Sequence, residues 1–479
     1  MLPILVSHGY FLRNDPKQLE RGKPYPPLAT LQVAAMLRER GYPVSLFDAM
    51  LSEGLEAFQA CLAASSARLL ILYEDNFNFL TKMCLAAVRE ASCTMIRQAR
   101  ACGLRVIVAG SDATDAPEPY LRAGADAALA GEGLGTLLAL IERLGADADQ
   151  PAAQLGAGLG GIAYLDGGAL VRGAQAGGGL MGYPERAAWD LVDIDAYRRV
   201  WQRSQGYFSL NIAASRGCPF RCSWCAKPIW GNQYAQRLPE AVADELIHLH
   251  GAYRPDHIWF PDDIFGFRPA WVRRFAARLK AAGVRVPFTI QTRADLLTES
   301  MAAALGEAGC AEAWLGAESG SQRILDAMNK GTTVEQILTA RERLRAHGVR
   351  VGFFIQLGYL DEQLADIRAT RALLERAQPD DVGVSVAYPL PGTRFYDIVK
   401  AQLNGKTHWR DSGDLAMMFK GTYSSDFYRE IRNLLHEQVS LSQHTTRAGG
   451  RYERARRHLA RRWDALESSE GRFRVAAAL

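Results

Sequence analysis

The sequence predicts an α/β fold built from two successive strand-and-helix units and a helical end, and three observations predict it. Short runs rich in Val, Ile and Leu alternate with stretches of helical period from residue 1 to about 145, and again from 207 to about 404. Such alternation is the pattern of parallel sheets covered by helices. A glycine-rich stretch separates the two units, and beyond about 405 the pattern turns helical.

In the first unit strands are expected at 2–7 (LPILVS), 43–48 (PVSLFD), 68–73 (RLLILY), 104–109 (LRVIVA) and 126–129 (DAAL), with helices at roughly 27–40, 52–64, 79–102, 117–123 and 133–143. Five strands each followed by a helix make a doubly wound, Rossmann-like domain over 1–145, whose ligands sit in the crevice at the carboxyl ends of the strands. The loops at those ends are His8-Gly9-Tyr10, Glu74-Asp75-Asn76, Gly110-Ser111-Asp112 and Gly131-Glu132-Gly133. Residues 146–206 read as a linker: eleven glycines lie between 151 and 182, and Asp166-Gly167 sits between two strand-like runs as a small hairpin. In the second unit, 207–404, strands are expected at about 208–214, 257–261, 286–291, 311–316, 350–357 and 382–387. Six strand-helix units are too few for a closed eight-fold barrel and suit an open partial (β/α)6 barrel, whose active residues come from the carboxyl ends of its strands. The last part, 405–479, is helical, and its RAGGRYERARRHLARRW run carries seven arginines against one acid. That run reads as a solvated, partly frayed helix or as a contact for an anionic partner.

The composition, 48% hydrophobic and 23% charged over 479 residues, excludes global disorder and collagen-like repetition and allows about two to four domains. A formal charge of +4 is too balanced to imply nucleic-acid binding. No stretch approaches the roughly 18 apolar residues of a membrane span, and the start, MLPILVSHGYFLRNDP, lacks a cationic signal-peptide region. The expectation is a cytoplasmic protein with no transmembrane segment and no nucleic-acid partner. In that compartment eight cysteines are free thiols and metal ligands rather than a disulfide framework.

The most informative segment is SRGCPFRCSWCAKPIWG, which places Cys218, Cys222 and Cys225 just past the first barrel strand. Gaps of three and then two residues let one tight loop turn three thiolates toward one point. Iron-sulfur cubanes are held by such thiolates, ordinarily four, so three leave one iron open for substrate chemistry. The competing reading is zinc, which normally takes four protein ligands and a second ligand pair at a recognisable spacing. The next cysteine downstream, Cys310, stands alone at a helix-to-strand junction.

With this spacing and an aromatic residue, Trp224, before the last cysteine, the segment from 207 to about 400 resembles the radical S-adenosylmethionine superfamily. The resemblance implies that Cys218, Cys222 and Cys225 bind a [4Fe-4S] cluster whose fourth iron is chelated by S-adenosyl-L-methionine. It also implies that reduction of the cluster yields a 5'-deoxyadenosyl radical, chemistry beyond ordinary side chains. Such enzymes draw electrons from a flavodoxin- or ferredoxin-type reductant. Further landmarks of the family follow successive strands. FPDD carries Asp262 and Asp263 after the second, where relatives contact the methionine moiety; the plainer reading is a polar loop capping the next helix. QTRAD places Arg293 after the third, facing the cofactor carboxylate or an acidic neighbour. LGAESGSQ puts Glu318 and Ser319 after the fourth, a ribose-contacting position in relatives or a helix N-cap. FFIQLGY places Gln356 and Gly358 after the fifth, near the adenine.

A Rossmann-like domain ahead of such a barrel resembles the cobalamin-dependent radical enzymes, so cobalamin is the third cofactor implied. The family pattern that supplies a histidine to cobalt, Asp-x-His-x-x-Gly, is missing, and His8-Gly9 is its nearest echo. Either cobalamin sits with no protein histidine on cobalt or the domain has lost it. AGSDATD and GADAALAGEG are similar to the family's nucleotide-tail loops, with Gly110, Ser111 and Gly131 letting a bulky cofactor approach the backbone or merely making tight turns. On this resemblance His8, Gly9, Glu74, Gly110, Ser111, Asp112, Gly131 and Glu132 are the candidate cofactor contacts.

The tRNA methylthiotransferases, a competing radical class, carry a second cluster on three amino-terminal cysteines. Here Cys84, Cys93 and Cys102 are spaced by nine on one expected helix, so neighbouring thiols face opposite sides. The carboxy-terminal segments AYPLPGTRFYD and DSGDLAMMFKGTYSSDFYR resemble the anaerobic magnesium-protoporphyrin IX monomethyl ester cyclases, while KPYPPLATL and YEDNFNFL depart from them. The expected reaction is methylation of an unactivated carbon of a small-molecule substrate, with oxidative ring closure as the alternative and an iron-sulfur sensor or electron carrier as the non-enzymatic one. Tyr388 and Arg394 are the candidate substrate contacts at the domain junction.

Overall fold

The computed structural model describes residues 1–475 except 148, 175–181, 183, 185, 404 and 444–449. Its first five strands, β1 (Ile4–Ser7), β2 (Val44–Phe47), β3 (Leu69–Tyr73), β4 (Arg105–Ala109) and β5 (Ala127–Leu129), pair in parallel in the order β2-β1-β3-β4-β5. β1 and β3 are buried along their whole length, as continuous apolar runs are in a sheet covered on both faces. Alternate residues feed two cores: Leu5, Leu70 and Leu72 face one, while Ile4, Val6, Leu69, Ile71 and Tyr73 face another. That second core runs on into the barrel, through Trp189, Trp201 and Phe208 to Phe353.

Two expectations change here. The hairpin expected inside the linker forms as β6 (Ile162–Asp166) and β7 (Ala169–Arg172), but it pairs antiparallel with β5 and extends the sheet to seven strands. It thereby covers the unpaired edge that β5 would otherwise leave. The single helix expected over 79–102 is two, Phe79–Lys82 and Ala86–Ala101, interrupted at Cys84, which has φ +52°. The break has a tertiary cause: the amides of Ala86 and Ala87 donate to the carbonyls of Trp409 and Arg410, at 2.8 and 3.2 Å. Cys84 therefore leaves the helix, and among the described residues the amino-terminal cysteines form no metal-binding group. A helix at Ile194–Gln205, inside the expected linker, buries Tyr197 and Trp201.

All six expected barrel strands are present: β8 (Ser209–Asn211), β11 (His257–Trp259), β12 (Phe288–Thr292), β13 (Cys310–Glu318), β14 (Arg350–Leu357) and β15 (Asp381–Val386), parallel and in the order β15-β14-β13-β12-β11-β8. The first ends earlier than expected, because β9 (Ser215–Gly217) leaves the sheet and pairs antiparallel with β10 (Tyr234–Gln236). The side of the half-barrel along β8 is covered by the amino-terminal segment 22–27: Trp201 Nε1 donates to Pro24 O, Asn211 Nδ2 to Pro26 O at 3.1 Å, and the Tyr25 hydroxyl meets Ser209 Oγ at 3.0 Å. The helix Ser425–Gln443 lays Phe427, Tyr428, Ile431, Leu434, Leu435 and Val439 into the core. The basic helix Gly450–Ser468 is only partly solvated, since it buries Leu459, Trp463 and Leu466, and its Arg462 pairs with Glu430 and Glu437. No helix among the described residues is long and apolar enough to cross a membrane.

Candidate functional site

The cysteine loop hangs between β9 and β10, and local chemistry dictates how it leaves the strand. Gly217 has φ +76°, and a Cβ there would stand 2.3 Å from Gln233 O, so only glycine brings the chain out of β9 so close to its return. Backbone contacts then fix the loop: Ser223 N donates to Met328 O (2.8 Å), Phe395 N to Ser223 O (2.9 Å) and Cys225 N to Cys222 O (3.2 Å). Trp224 packs against a small buried cluster that includes Ile324, Met328, Tyr359 and Phe395. All three thiols are half-buried. Burial raises the Cys218 thiol and pushes Cys225 up to about 12, with the Asp263 carboxylate adding to the effect on Cys225. Among the described residues no three His, Cys, Asp or Glu side chains stand as a ready ion site. The donor set is nonetheless that of an iron-sulfur cluster, three thiols on one loop beside two cations. Arg293 Nη1 lies 3.7 Å from Cys222 Sγ, and the Lys330 ammonium is buried in the same place.

Arg293 is held by Asp295 (2.9 and 3.1 Å) and by Lys330 O (2.7 Å), with its guanidinium 3.7 Å from the Phe220 ring centre. Glu318 sits at φ +59° at the end of β13 and accepts from Lys330 Nζ at 2.7 Å. Burial lowers the Lys330 ammonium, and the Glu318 charge, followed by Cys222, outweighs it and leaves it raised. Gly316 makes room for this pair, since a Cβ there would be 2.6 Å from Lys330 Nζ. Gln356 is buried with Oε1 unpartnered, and Gly358 (φ +75°) lies under Met417 and donates its amide to Glu362 Oε2 at 2.6 Å. Burial raises Glu362 to about 8, and its other oxygen has no partner.

Three expected contacts are engaged within the protein. Asp262 accepts from Ala214 N (3.1 Å) and Ser215 Oγ (2.5 Å), tying β9 to the end of β11, and burial raises it to about 7. Ser319 is fully buried against Thr370 Oγ1 (3.2 Å) and accepts from Ser321 N; the following helix, Gln322–Ala327, takes Ser321 and not Ser319 as its N-cap. Asp263 reaches across to the Rossmann-like domain and pairs with Lys82 at 2.8 Å.

At the carboxyl ends of β1, β3 and β4 the expected residues do converge. Glu74 Oε1 accepts from Gly9 N (2.8 Å) and Ser92 Oγ (3.2 Å), and Ser92 Oγ occupies the place a Cβ on Gly9 would take. His8 is buried against Asp48 (3.1 Å); burial lowers the imidazole, but its hydrogen bond to Asp48 and the nearby carboxylates hold it above its usual range. Gly110 accommodates the Glu74 side chain, whose Cγ lies 2.8 Å from where its Cβ would be. Asp112 is a tie between elements, gripped in two bonds by Arg89 and also by the Tyr120 hydroxyl and His408. Burial raises it, and those partners outweigh burial and hold it low. Glu74 Oε2, both side-chain atoms of Asn76, Ser111 Oγ and Asp115 Oδ2 are buried with no partner, a concentration of unmet hydrogen-bonding capacity that points to a polar ligand. Beside them, under the β6–β7 hairpin, lies a cavity of about 260 Å³ walled by small residues, among them Ala113, Ala128, Ala130, Gly161 and Ala163, with Arg172 at its edge. These features fit a bulky cofactor with a polar tail.

Gly131 and Glu132 face the barrel instead. A Cβ on Gly131 would be 3.1 Å from Ile229 O, and Glu132 Oε1 accepts from Arg216 Nη1 and from Trp230 Nε1 (3.2 Å). Tyr388 is buried against Trp409, ring centres 4.4 Å apart, and donates to Thr407 O; Arg394 is exposed. The sequence pointed to Asn76 only through its strand-end loop and did not single out Lys330, Glu362, Lys82 or Trp230. Of these last four, Trp230 alone carried a sequence signal, its place within the cysteine segment.

Residues 212–374 match the Radical SAM superfamily model. An uncharacterized methyltransferase of Pyrococcus horikoshii is 31% identical over 212 residues, 44% of this chain and 45% of the relative. An anaerobic magnesium-protoporphyrin IX monomethyl ester cyclase of Rubrivivax gelatinosus is 27% identical over 179 residues, 37% of this chain and 32% of that one. The chain thus spans less than half the length of these relatives. Among solved structures, the radical S-adenosylmethionine methyltransferase TsrM from Kitasatospora setae, with tryptophan substrate and aza-SAM bound, shares the fold. The TM-score is 0.69 at 18% identity, over 85% of this chain and 79% of that one.

Proposed function

On the match of residues 212–374 to the Radical SAM superfamily model, we propose that the protein is a cobalamin-dependent radical SAM methyltransferase acting on an unactivated carbon of a small molecule. The observation that carries this reading is the contact of the two units: the loop after β5 rests on the cysteine loop, with Gly131 against Ile229 and Glu132 against Arg216 and Trp230. Groups held at the carboxyl ends of the two sheets therefore share one space. TsrM, which has the same fold, is a methyltransferase and also has a structure with cobalamin and a [4Fe-4S] cluster bound.

In this reading Cys218, Cys222 and Cys225 hold the cluster. Arg293 and the Lys330–Glu318 pair set the charge around it, and Arg293, Glu318, Gln356 and Gly358 receive S-adenosyl-L-methionine. Glu74 through its free Oε2, together with Asn76 and Ser111, whose side-chain polar atoms also lack partners, receives cobalamin, and the small-walled cavity takes its tail. When bound, the cluster supplies the electron that opens the sulfonium, and cobalamin supplies a methyl carrier. The side chains do the rest. Arg293 and Lys330 place positive charge beside the cysteine loop, and Trp224 and Trp230 exclude water from its flanks. His8 is held by Asp48 within the protein, so it is not offered as a metal ligand. The electrons come from a flavodoxin- or ferredoxin-type protein, and the enzyme works in the cytoplasm.

The test is anaerobic reconstitution of the whole chain. About four irons, retained cobalamin, and 5'-deoxyadenosine on adding reductant and S-adenosyl-L-methionine are expected, with the last abolished in Cys222→Ala. Trideuteromethyl-labelled S-adenosyl-L-methionine incubated with cell extract should pass its label to a product. An unlabelled product two hydrogens lighter than its precursor would overturn methyl transfer in favour of the oxidative cyclase reading.

A further inference from the structure

Resting on the cluster reading above, we propose that Glu132 of the Rossmann-like domain is a positioning residue for the iron-sulfur loop, clamping both of its ends through one carboxylate oxygen. The sequence offered Glu132 as a cofactor contact. The structure turns it toward the barrel, where its Oε1 accepts from Arg216 Nη1 and from Trp230 Nε1. Arg216 lies in β9, two residues before Cys218, and Trp230 lies five residues after Cys225, so the donors flank all three thiols. An ordinary inter-domain ion pair has one partner on one element. Here one acceptor joins the entry and the exit of a single loop.

The clamp is anchored independently of what it holds. The Glu132 carbonyl accepts from the Tyr73 hydroxyl at the end of β3 (2.8 Å), and Gly131 N donates to Thr114 Oγ1 (3.1 Å). The side chains involved are shielded from water, at 7% exposure for Glu132, 11% for Arg216 and 4% for Trp230, so the charge-assisted bond is weakly screened. Two further residues of the Rossmann-like domain grip the same indole. Phe77 approaches it with ring centres 5.3 Å apart, and Lys82 stands 5.2 Å from its ring centre while pairing with Asp263. The two ends of the cysteine loop are thus held by residues roughly 100 to 150 positions before Trp230, while Met328 and Phe395 hold its middle, and whatever shifts the β3 or β5 loops is felt at the thiols.

The experiment uses the full chain, anaerobically reconstituted, as wild type, Glu132→Gln, Glu132→Ala and Trp230→Phe. Iron and cobalamin per chain, the electron paramagnetic resonance spectrum of the reduced cluster with and without S-adenosyl-L-methionine, and the rate of 5'-deoxyadenosine release are measured for each. Glu132→Ala is expected to keep its iron and cobalamin, to shift or broaden the cluster spectrum, and to slow release about tenfold or more, as misplacement of reacting groups does. Glu132→Gln, which keeps an acceptor for Trp230, should recover part of both effects. Trp230→Phe, which keeps a ring for Lys82 and Phe77 but loses the donor, should reproduce the spectral change more weakly. An unchanged spectrum and rate in Glu132→Ala would overturn the proposal, as would loss of cobalamin with an unchanged cluster spectrum, the behaviour of a cofactor contact. If Glu132→Ala fails to fold, an unaltered spectrum in Trp230→Phe overturns it. A wild-type chain that binds no iron would refute the cluster reading itself, and that is read before any variant is compared.

Discussion

Two glycines of the cysteine segment share a backbone conformation and differ in their surroundings, which makes Gly217→Ala and Gly231→Ala a matched pair. Both have left-handed φ, +76° and +58°, so an alanine at either costs roughly 1–2 kcal/mol in conformational strain. At Gly231 nothing lies within 4 Å of the added Cβ, and strain is the whole cost. At Gly217 the Cβ would be 2.3 Å from Gln233 O and 3.2 Å from Trp230 Cβ, and the first of these is backbone that cannot swing aside. Overpacking of this kind adds about 1–3 kcal/mol. The total for Gly217→Ala is about 2–5 kcal/mol, and the difference between the variants corresponds to on the order of ten- to a hundredfold in the closed population of the β9–β10 hairpin. Hydrogen exchange of the amides of Tyr234, Ala235 and Gln236, followed by mass spectrometry, reads that population. Iron bound after reconstitution reads its consequence. Equal exchange and equal iron in the two variants would refute the reasoning, because the steric difference between the sites would then have no effect on the loop.

Glu362 has its carboxyl raised from the ordinary 4.5 to about 8 by burial, so the folded chain keeps a proton that the unfolded chain releases between those values. Its contribution to stability is full below about 4.5 and is lost as pH rises through about 8. Glu362→Gln, which keeps an acceptor for Gly358 N, should therefore gain stability over wild type at about pH 9 relative to about pH 5, by an amount on the order of a few kcal/mol; an equal difference at both pH values would contradict this. For Lys82 and Asp263, about a quarter and a third exposed, a double-mutant cycle should return a coupling of about 0.2–1 kcal/mol that shrinks with added salt. A coupling that is zero at low salt would mean that the pair does not join the two units.

What the sequence disclosed was what is set locally. Runs such as LLILY and VGFFIQL are apolar on both faces and had to become central strands, and the three cysteines announce themselves by spacing alone. The break at Cys84 was hidden because the helical period continues through it. What stops the helix is a pair of carbonyls at Trp409 and Arg410, more than three hundred residues away. The β6–β7 hairpin was recognised by its turn, but nothing in its composition says that β5 needs a partner. The candidate contacts divide in the same way. Glu74 and Ser111 lie at strand ends, where topology alone puts ligands. Asp112, Asp262 and Ser319 are consumed by Arg89, Ser215 and Thr370, partners that only the folded chain brings near. Glu132 was singled out by its place in the loop after β5, and its bonds to Arg216 and Trp230 exist only in the folded chain.

The strip of chain from Gly22 to Pro27 has a consequence for how the protein is made. Pro24, Tyr25 and Pro26 leave the ribosome well before their partners Trp201, Ser209 and Asn211, which follow about 180 residues later. Asp15 waits longer still, for Ser412, whose hydroxyl and amide it accepts. The amino-terminal domain therefore carries a proline-rich flank whose partners on the barrel come about 180 residues later, and a helix-capping carboxylate, Asp15, whose further partner Ser412 comes almost 400 residues later. Contacts of such separation form late and slowly, and a half-made chain exposes the surfaces they will cover. A barrel without residues 22–27 would present the bare flank of β8, the surface that Pro24, Tyr25 and Pro26 cover in the whole chain.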